Sequence, residues 1–152
     1  MKEIMQIMAV IVILFLFGCA TQQPVQRVIQ TQETAEAYLN RGATYSQKGE
    51  FDKAISNYNK AIELNPKFAV AYLDRGFTYS KLGEDDRAIS DYNKAIEINP
   101  RYAVAYYNRG RAYYLKGEYD KSWEDVKKAR DLGYKIPPKF LDDLRKASGR
   151  RN

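Results

Sequence analysis

The sequence predicts an all-α fold made of three stacked helical hairpins and one capping helix. A short block, AYLNRG from residue 37, returns at the same interval as AYLDRG from residue 71 and as AYYNRG from residue 105. Within each period, apolar residues recur at spacings of three and four, and glycine or proline follows each such stretch. A fixed period of this length indicates stacked copies of one unit, and such stacks usually present a curved surface to a partner.

The first helix of the first copy is predicted over residues 35–48. Tyr38, Gly42 and Tyr45 lie on one face of this helix, because they are spaced by four and three residues. Gly49 ends it, since glycine readily adopts the left-handed conformation that a helix C-terminus requires.

The second helix of the first copy is predicted over residues 51–64. Its apolar stripe consists of Ala54, Tyr58, Ala61 and Ile62. Pro66 ends this helix, because the residue before a proline is disfavoured in the helical conformation. The second copy repeats the same arrangement, so the two helices of each unit are expected to pack as a hairpin.

Glycines in the middle of the first helices predict close helix packing. Gly42, Gly76 and Gly110 cost about 1 kcal/mol each relative to alanine in a helix interior. That cost is understandable if another helix approaches at these points, with Ala54 and Ala88 as the small residues opposite.

These residues resemble the signature of the tetratricopeptide repeat, a helix-turn-helix unit whose period matches the interval seen here. In the first copy the matching residues are Tyr38, Gly42, Tyr45, Gly49, Ala54, Tyr58, Ala61 and Pro66. In the second copy they are Tyr72, Gly76, Tyr79, Gly83, Ala88, Tyr92, Ala95 and Pro100. The third copy departs from the signature at Ser122, Val126 and Tyr134.

The resemblance implies a right-handed superhelical solenoid. Its three units are predicted at 35–68, 69–102 and 103–136. After the break at Pro137 and Pro138, apolar residues at helical spacing predict a capping helix over 137–148, followed by a basic tail at 149–152; the apolar residues are Phe140, Leu141 and Leu144.

The N-terminus resembles a bacterial lipoprotein signal peptide. Residues 7–17 form an unbroken apolar run, which suits a secretory signal and is short of the ~20 residues of a membrane span. Leu16-Phe17-Gly18-Cys19 follows the pattern of a lipobox, which implies cleavage after residue 18 and lipidation of Cys19. Residues 19–34 would then be a lipidated cysteine and a flexible tether. The alternative is an uncleaved anchor in the inner membrane, over residues 4–20.

Lipidation would place the protein in the cell envelope. Ala20 follows the cysteine, where an aspartate would indicate retention in the inner membrane, so the resemblance favours the periplasmic face of the outer membrane. The lipid on Cys19 would be the contact with the membrane. A nucleic-acid partner is not expected for an exported protein.

The positive charge is concentrated at the C-terminus. Residues 127–152 hold nine basic and three acidic side chains, which accounts for the whole net charge of +6. One interpretation is a solvated end helix with a basic tail. The other is a structural tether whose tail contacts anionic membrane or cell-wall components.

No constellation of catalytic residues is apparent. The chain has no histidine and a single cysteine, and it lacks a phosphate-binding glycine loop and a serine nucleophile elbow. We therefore expect a protein that is not an enzyme and has no cofactor, no metal site and no small-molecule substrate.

The resemblance also implies a binding surface, since the first helices of tetratricopeptide repeats line a concave groove. At the groove positions this chain has Leu39, Ala43, Ser46, Gln47, Leu73, Phe77, Ser80, Lys81, Tyr107, Arg111, Tyr114 and Leu115. The expected occupant is a peptide or helix of a partner protein. Phe77 and Tyr107 are the predicted anchors, since aromatic residues dominate binding energy at interfaces; the alternative is that some of these side chains pack between repeats or against the cap.

Two further expectations concern charged residues. Some relatives grip a C-terminal carboxylate, but among the corresponding positions only Arg111 fits, and Asp74 would repel a carboxylate. Arg41, Arg75 and Arg109 recur at one position of the unit. They are expected to pair locally with carboxylates such as Asp91 or Asp125 instead of forming a basic ladder.

Overall fold

A computed structural model describes residues 33–150. The chain divides into two units between Glu33 and Thr34, and the described helices all belong to the second. The predicted signal peptide, Cys19, nearly all of the tether and the last two residues of the basic tail lie outside the described residues, so these assignments stay predictions.

The described part of the chain is all-helical. Its seven helices are Ala35–Gln47 (α1), Phe51–Leu64 (α2), Ala69–Lys81 (α3), Asp85–Ile98 (α4), Ala103–Leu115 (α5), Tyr119–Asp131 (α6) and Pro138–Ser148 (α7). Helices α1–α2, α3–α4 and α5–α6 pack as three hairpins, and each hairpin packs on the next. None of these helices is long and apolar enough to cross a membrane. The predicted all-α superhelical fold is confirmed.

The turn inside each hairpin is made by a glycine. Gly83 has a φ of 75°, in the left-handed region that glycine enters without a Cβ penalty. The amide of Glu84 then donates a 2.9 Å hydrogen bond back to the carbonyl of Tyr79, which caps α3. The same bond closes the first helix of the other two hairpins at the same register.

Each hairpin closes around a glycine in its first helix. A Cβ built on Gly76 would lie 2.9 Å from the Tyr92 ring and 3.1 Å from the Ala88 carbonyl oxygen. Ala88 and Tyr92 are buried, and a Cβ on Gly42 would meet Tyr58 at 2.6 Å. The predicted close approach of the two helices is therefore confirmed.

The third hairpin packs less tightly at this point. Val126 stands where the other two hairpins have a tyrosine, and a Cβ on Gly110 would meet its nearest atom, Asp125 Cβ, at 3.2 Å. Ser122, which stands in the place of Ala88, is buried, and its Oγ has no hydrogen-bond partner among the described residues.

An arginine joins consecutive hairpins. Arg75 on α3 donates two hydrogen bonds, at 2.8 and 2.7 Å, to the two carboxylate oxygens of Asp91 on α4 of the same hairpin. It donates a third, at 2.6 Å, to the amide oxygen of Asn59 on α2 of the preceding hairpin. The hydrogen bonds to Asp91 raise the pKa of the Arg75 guanidinium, so this side chain stays charged.

The same arrangement recurs one unit later. Arg109 bonds Asp125 at 2.8 and 2.7 Å and Asn93 of the preceding hairpin at 2.6 Å. In the first hairpin, Arg41 donates to Asn57 at 2.7 Å. The expectation that these arginines pair locally with carboxylates is confirmed for Arg75 and Arg109, which in addition connect neighbouring units.

Helix α7 lies in register with a fourth leading helix. Leu144 falls one full repeat period after Gly110, and its side chain is fully buried. A large residue fits here because α7 has no second helix of its own within the described residues. The helix packs against α6 and is the last helix of the described residues, where the capping helix was predicted.

Replacing Gly76 by alanine is expected to destabilise the protein by about 2 kcal/mol, which is the upper end of the overpacking cost less the gain in helix propensity. The gain in helix propensity is about 1 kcal/mol, but overpacking a core costs typically about 1–3 kcal/mol, and the buried Tyr92 ring has little room to move. Gly110→Ala is the matched control, with a loss below about 1 kcal/mol because its new contacts are longer. Urea unfolding of both variants measures the difference, and equal losses would contradict the packing argument.

Replacing Arg75 by methionine is expected to destabilise the protein by about 3 kcal/mol, because the buried carboxylate of Asp91 loses its cation. The double variant Arg75→Met/Asp91→Leu removes both charges and should recover part of this loss. A double-mutant cycle in urea, with Asp91→Leu as the second single variant, measures the coupling. Additive losses would show that the ion pair does not contribute.

Candidate functional site

The first helices of the three hairpins lie side by side. Helix α1 contacts α3, and α3 contacts α5. The hydroxyls of Ser46 on α1 and Thr78 on α3 are 3.4 Å apart, which joins the first two helices directly. We call the surface formed by α1, α3 and α5 the leading-helix face.

The predicted groove residues differ in their exposure. Those that are exposed are Gln47, Phe77, Lys81, Arg111 and Leu115. Those that are half-buried are Leu39, Ala43, Ser46, Ser80 and Tyr114. Leu73 and Tyr107 are buried, with 7% and 8% of their surface exposed. Whether the exposed and half-buried residues contact a partner stays a prediction.

Tyr107 is covered by the C-terminal part of the chain. Its ring stacks on Tyr134 with centroids 4.7 Å apart and meets the edge of Phe140 at 5.7 Å. Tyr114 also contacts Phe140, at 5.5 Å. Tyr107 was predicted to be an anchor for a partner; its ring is instead buried against the region after α6, as in the alternative that some groove residues pack against the cap. Leu73 is likewise part of the hydrophobic core.

The second hairpin presents an exposed stripe on α3. Its members, spaced by four, three and four residues, are Val70, Asp74, Phe77 and Lys81, and we call this set the α3 stripe. Val70 and Phe77 are each 37% exposed. The ammonium group of Lys81 lies 5.1 Å from the centre of the Phe77 ring, in a cation–π contact.

Asp74 is the unusual member of this stripe. Its carboxylate is half-buried, and it forms no hydrogen bond or ion pair with any of residues 33–150. Burial raises the pKa of Asp74 to about 6, because the charged form is partly removed from water. Sequence reasoning identified Asp74 only as unfavourable for a carboxylate ligand. The positions one helical turn away from Asp74 carry no lysine or arginine; they are Val70, Ala71, Phe77 and Thr78.

The cations near the face have other contacts. The Arg111 guanidinium carbon lies 6.0 Å from the centre of the Tyr107 ring.

At the C-terminus, Arg150 donates a 2.7 Å hydrogen bond to Asp120, and Arg145 donates one of 2.9 Å to Asp142. Both pairs are exposed and therefore weak, and residues 127–152 keep an excess of basic side chains.

Another polar cluster lies between α2 and α4, in an open depression of about 490 Å³. Arg87 there donates hydrogen bonds to the Tyr79 hydroxyl at 2.8 Å and to Glu84 at 2.6 Å. Its other charged groups include Arg75 and Asp91, which bond each other, so the cluster has the character of a structural network. Among residues 33–150, no three metal-ligating side chains come together.

Comparison with known proteins identifies the repeat. Profiles of the tetratricopeptide repeat match residues 35–68 and 57–90, and a profile described as a TPR repeat matches residues 79–117. The structure of the TPR2B domain of yeast Sti1 in complex with pHsp70 is 30% identical, with a TM-score of 0.68, over 77% of this chain and 98% of that one. The chain belongs to the tetratricopeptide repeat family.

Two further solved structures resemble this tetratricopeptide repeat chain. The first TPR of Spaghetti (RPAP3), bound to the HSP90 peptide SRMEEVD, is 28% identical with a TM-score of 0.71, over 76% of this chain and 91% of that one. MamA is 34% identical with a TM-score of 0.62, over 77% of this chain and 62% of its own. A search of curated proteins found no match.

Replacing Asp74 by asparagine is expected to stabilise the protein above pH 6. Because the folded-state pKa of about 6 lies above the ordinary value of 3.8, the folded state binds more protons than the unfolded state between these values, so wild-type stability falls as pH rises through this window. The shift corresponds to at most ~3 kcal/mol, and partial exposure reduces the expected gain to ~1–2 kcal/mol.

The measurement is thermal or urea unfolding of wild type and Asp74→Asn at pH 7.5 and at pH 4. The variant should be more stable at the higher pH and nearly equal to wild type at the lower one. A gain that is the same at both pH values would show that the carboxylate charge is not its cause.

Proposed function

We propose that this chain is a lipid-anchored adaptor that holds a peptide segment or helix of a partner protein on its leading-helix face and thereby aids assembly of a complex at the bacterial envelope. The α3 stripe is the observation that carries this proposal. It exposes Val70 and Phe77 to solvent, next to an unpaired carboxylate, in the middle of the face.

The solved structures support the choice of ligand. Two relatives, the first TPR of Spaghetti (RPAP3) and the TPR2B domain of yeast Sti1, were solved as complexes, the first with an HSP90 peptide and the second with pHsp70. A groove lined by helices suits an extended peptide or an amphipathic helix. Repeat arrays of this kind are typical of interaction modules, and the lack of a histidine or of converging metal ligands in the described residues gives no support to catalysis.

The anchor rests on the sequence. An unbroken apolar run ends at Phe17, and Gly18 and Cys19 follow at once. A lipidated Cys19 would hold the repeats close to a membrane, because a flexible segment as short as residues 21–34 spans about 20 Å on average. The periplasmic face of the outer membrane is the proposed location, with an uncleaved inner-membrane anchor as the alternative.

Site-specific cross-linking in intact cells tests the adaptor role. A photoreactive side chain in place of Phe77 should form adducts with a discrete partner, since this residue lies on the proposed binding face. The same group in place of Ser56, an exposed residue on α2, is the matched control and should form none. Equal adducts at both positions, or none at either, would contradict binding at the leading-helix face.

The anchor is tested separately by mass spectrometry of the mature protein. We expect a chain that begins at Cys19 and carries acyl groups, and we expect Cys19→Ser to remove both the lipid and the membrane association. A mature protein that retains Met1 would overturn the lipid anchor and leave the adaptor role standing.

A further inference from the structure

We infer that Asp74 makes the leading-helix face select a partner segment that places a lysine or arginine side chain against the α3 stripe. This inference rests on the proposed function, since it names the chemistry of the ligand that the same face would bind. The ligand would carry one basic side chain, at the position that faces Asp74.

The cations next to Asp74 in the sequence and on the stripe have other partners. Arg75, next to Asp74 in sequence, directs its guanidinium to Asp91 and Asn59. Lys81 lies two helical turns away on the same stripe and contacts the Phe77 ring. Asp74 therefore has no cation from its own chain among residues 33–150.

Leaving the Asp74 carboxylate unpaired costs electrostatic free energy. A half-buried charge loses part of its hydration, and nothing in the described protein replaces what is lost. With a pKa of about 6, Asp74 is mostly ionised at neutral pH. A cation brought by a ligand would recover electrostatic energy that the free protein lacks, and the pair would be partly shielded from water.

Asp74 lies among apolar and aromatic side chains. Burial raises the pKa of Tyr58, Tyr92 and Tyr102, and the charge of Asp74 adds to this in each case, so the three rings lie within electrostatic range of the carboxylate. Val70 and Phe77 flank Asp74 on the stripe and are exposed. Lysine and arginine suit such a surface, because their alkyl stems cover apolar groups while the charged head reaches the carboxylate.

The same geometry disfavours an acidic ligand at this point. A peptide carboxylate placed against Asp74 would meet a like charge in a partly desolvated site. The peptide SRMEEVD, which the first TPR of Spaghetti (RPAP3) binds, is rich in acidic residues. The ligand expected here therefore has the opposite charge at the position that faces Asp74.

A peptide selection on the full chain in a non-ionic detergent tests the inference. The probe is a library of random heptamers displayed between constant flanking sequences, so that no free terminus contributes, and it is selected in parallel on wild type and on Asp74→Asn. We expect wild type to enrich a basic residue at one fixed position at least tenfold more than the variant does. Asp142→Asn, an exposed carboxylate on α7, is the matched control and should select as wild type does.

The outcomes separate the inference from the proposed function. Enriched peptides without a basic preference, or an equal preference with Asp74→Asn, would overturn the inference and leave peptide binding intact. If neither protein enriches any peptide, both are overturned. For a selected peptide, replacing its basic residue by norleucine should weaken binding to wild type at least tenfold and to Asp74→Asn less than threefold, as measured by fluorescence anisotropy.

Discussion

The stack depends on an arginine shared between neighbouring hairpins. In a repeat protein each unit contacts only its neighbours, so the interface between units determines whether the array folds as one. Arg75 bonds the aspartate of its own hairpin and the asparagine of the preceding one, and Arg109 does the same one unit later. A planar guanidinium suits this task, because its donors can reach a carboxylate in bidentate fashion and still leave one for a neighbour.

This structural role has a consequence on the leading-helix face. Arg75 points to Asp91 and Asn59, and consecutive residues of a helix do not face each other, so Arg75 does not serve as a partner for the adjacent Asp74 carboxylate. The link between hairpins and the unpaired charge in the stripe thus arise from two consecutive residues of α3. A substitution of Arg75 would change the stability of the protein. It would also change the electrostatics of the face, because it would free Asp91 or displace α3. Substituting Asp74 alone separates the two effects.

Local features were predictable from the sequence, and features that depend on distant parts of the chain were not. The bounds Phe51–Leu64 of α2 follow from the turn glycine before it and the proline after it. The pairing of Arg75 with Asp91 followed from the repeat register. By contrast, the burial of Tyr107 depends on Tyr134 and Phe140, which both lie beyond the end of α6. The spacing of residues within a helix does not determine which side chains from distant parts of the chain pack on it.

The register of α7 explains where the face ends. Leu144 occupies the place in the repeat period that glycine holds in the hairpins, and its side chain is fully buried. Phe140 of α7 packs on Tyr107 and Tyr114 and so covers part of the face at the third hairpin. The cap therefore narrows the accessible face at α5, where Arg111 and Leu115 stay exposed, and it leaves α1 and the stripe on α3 open to a partner.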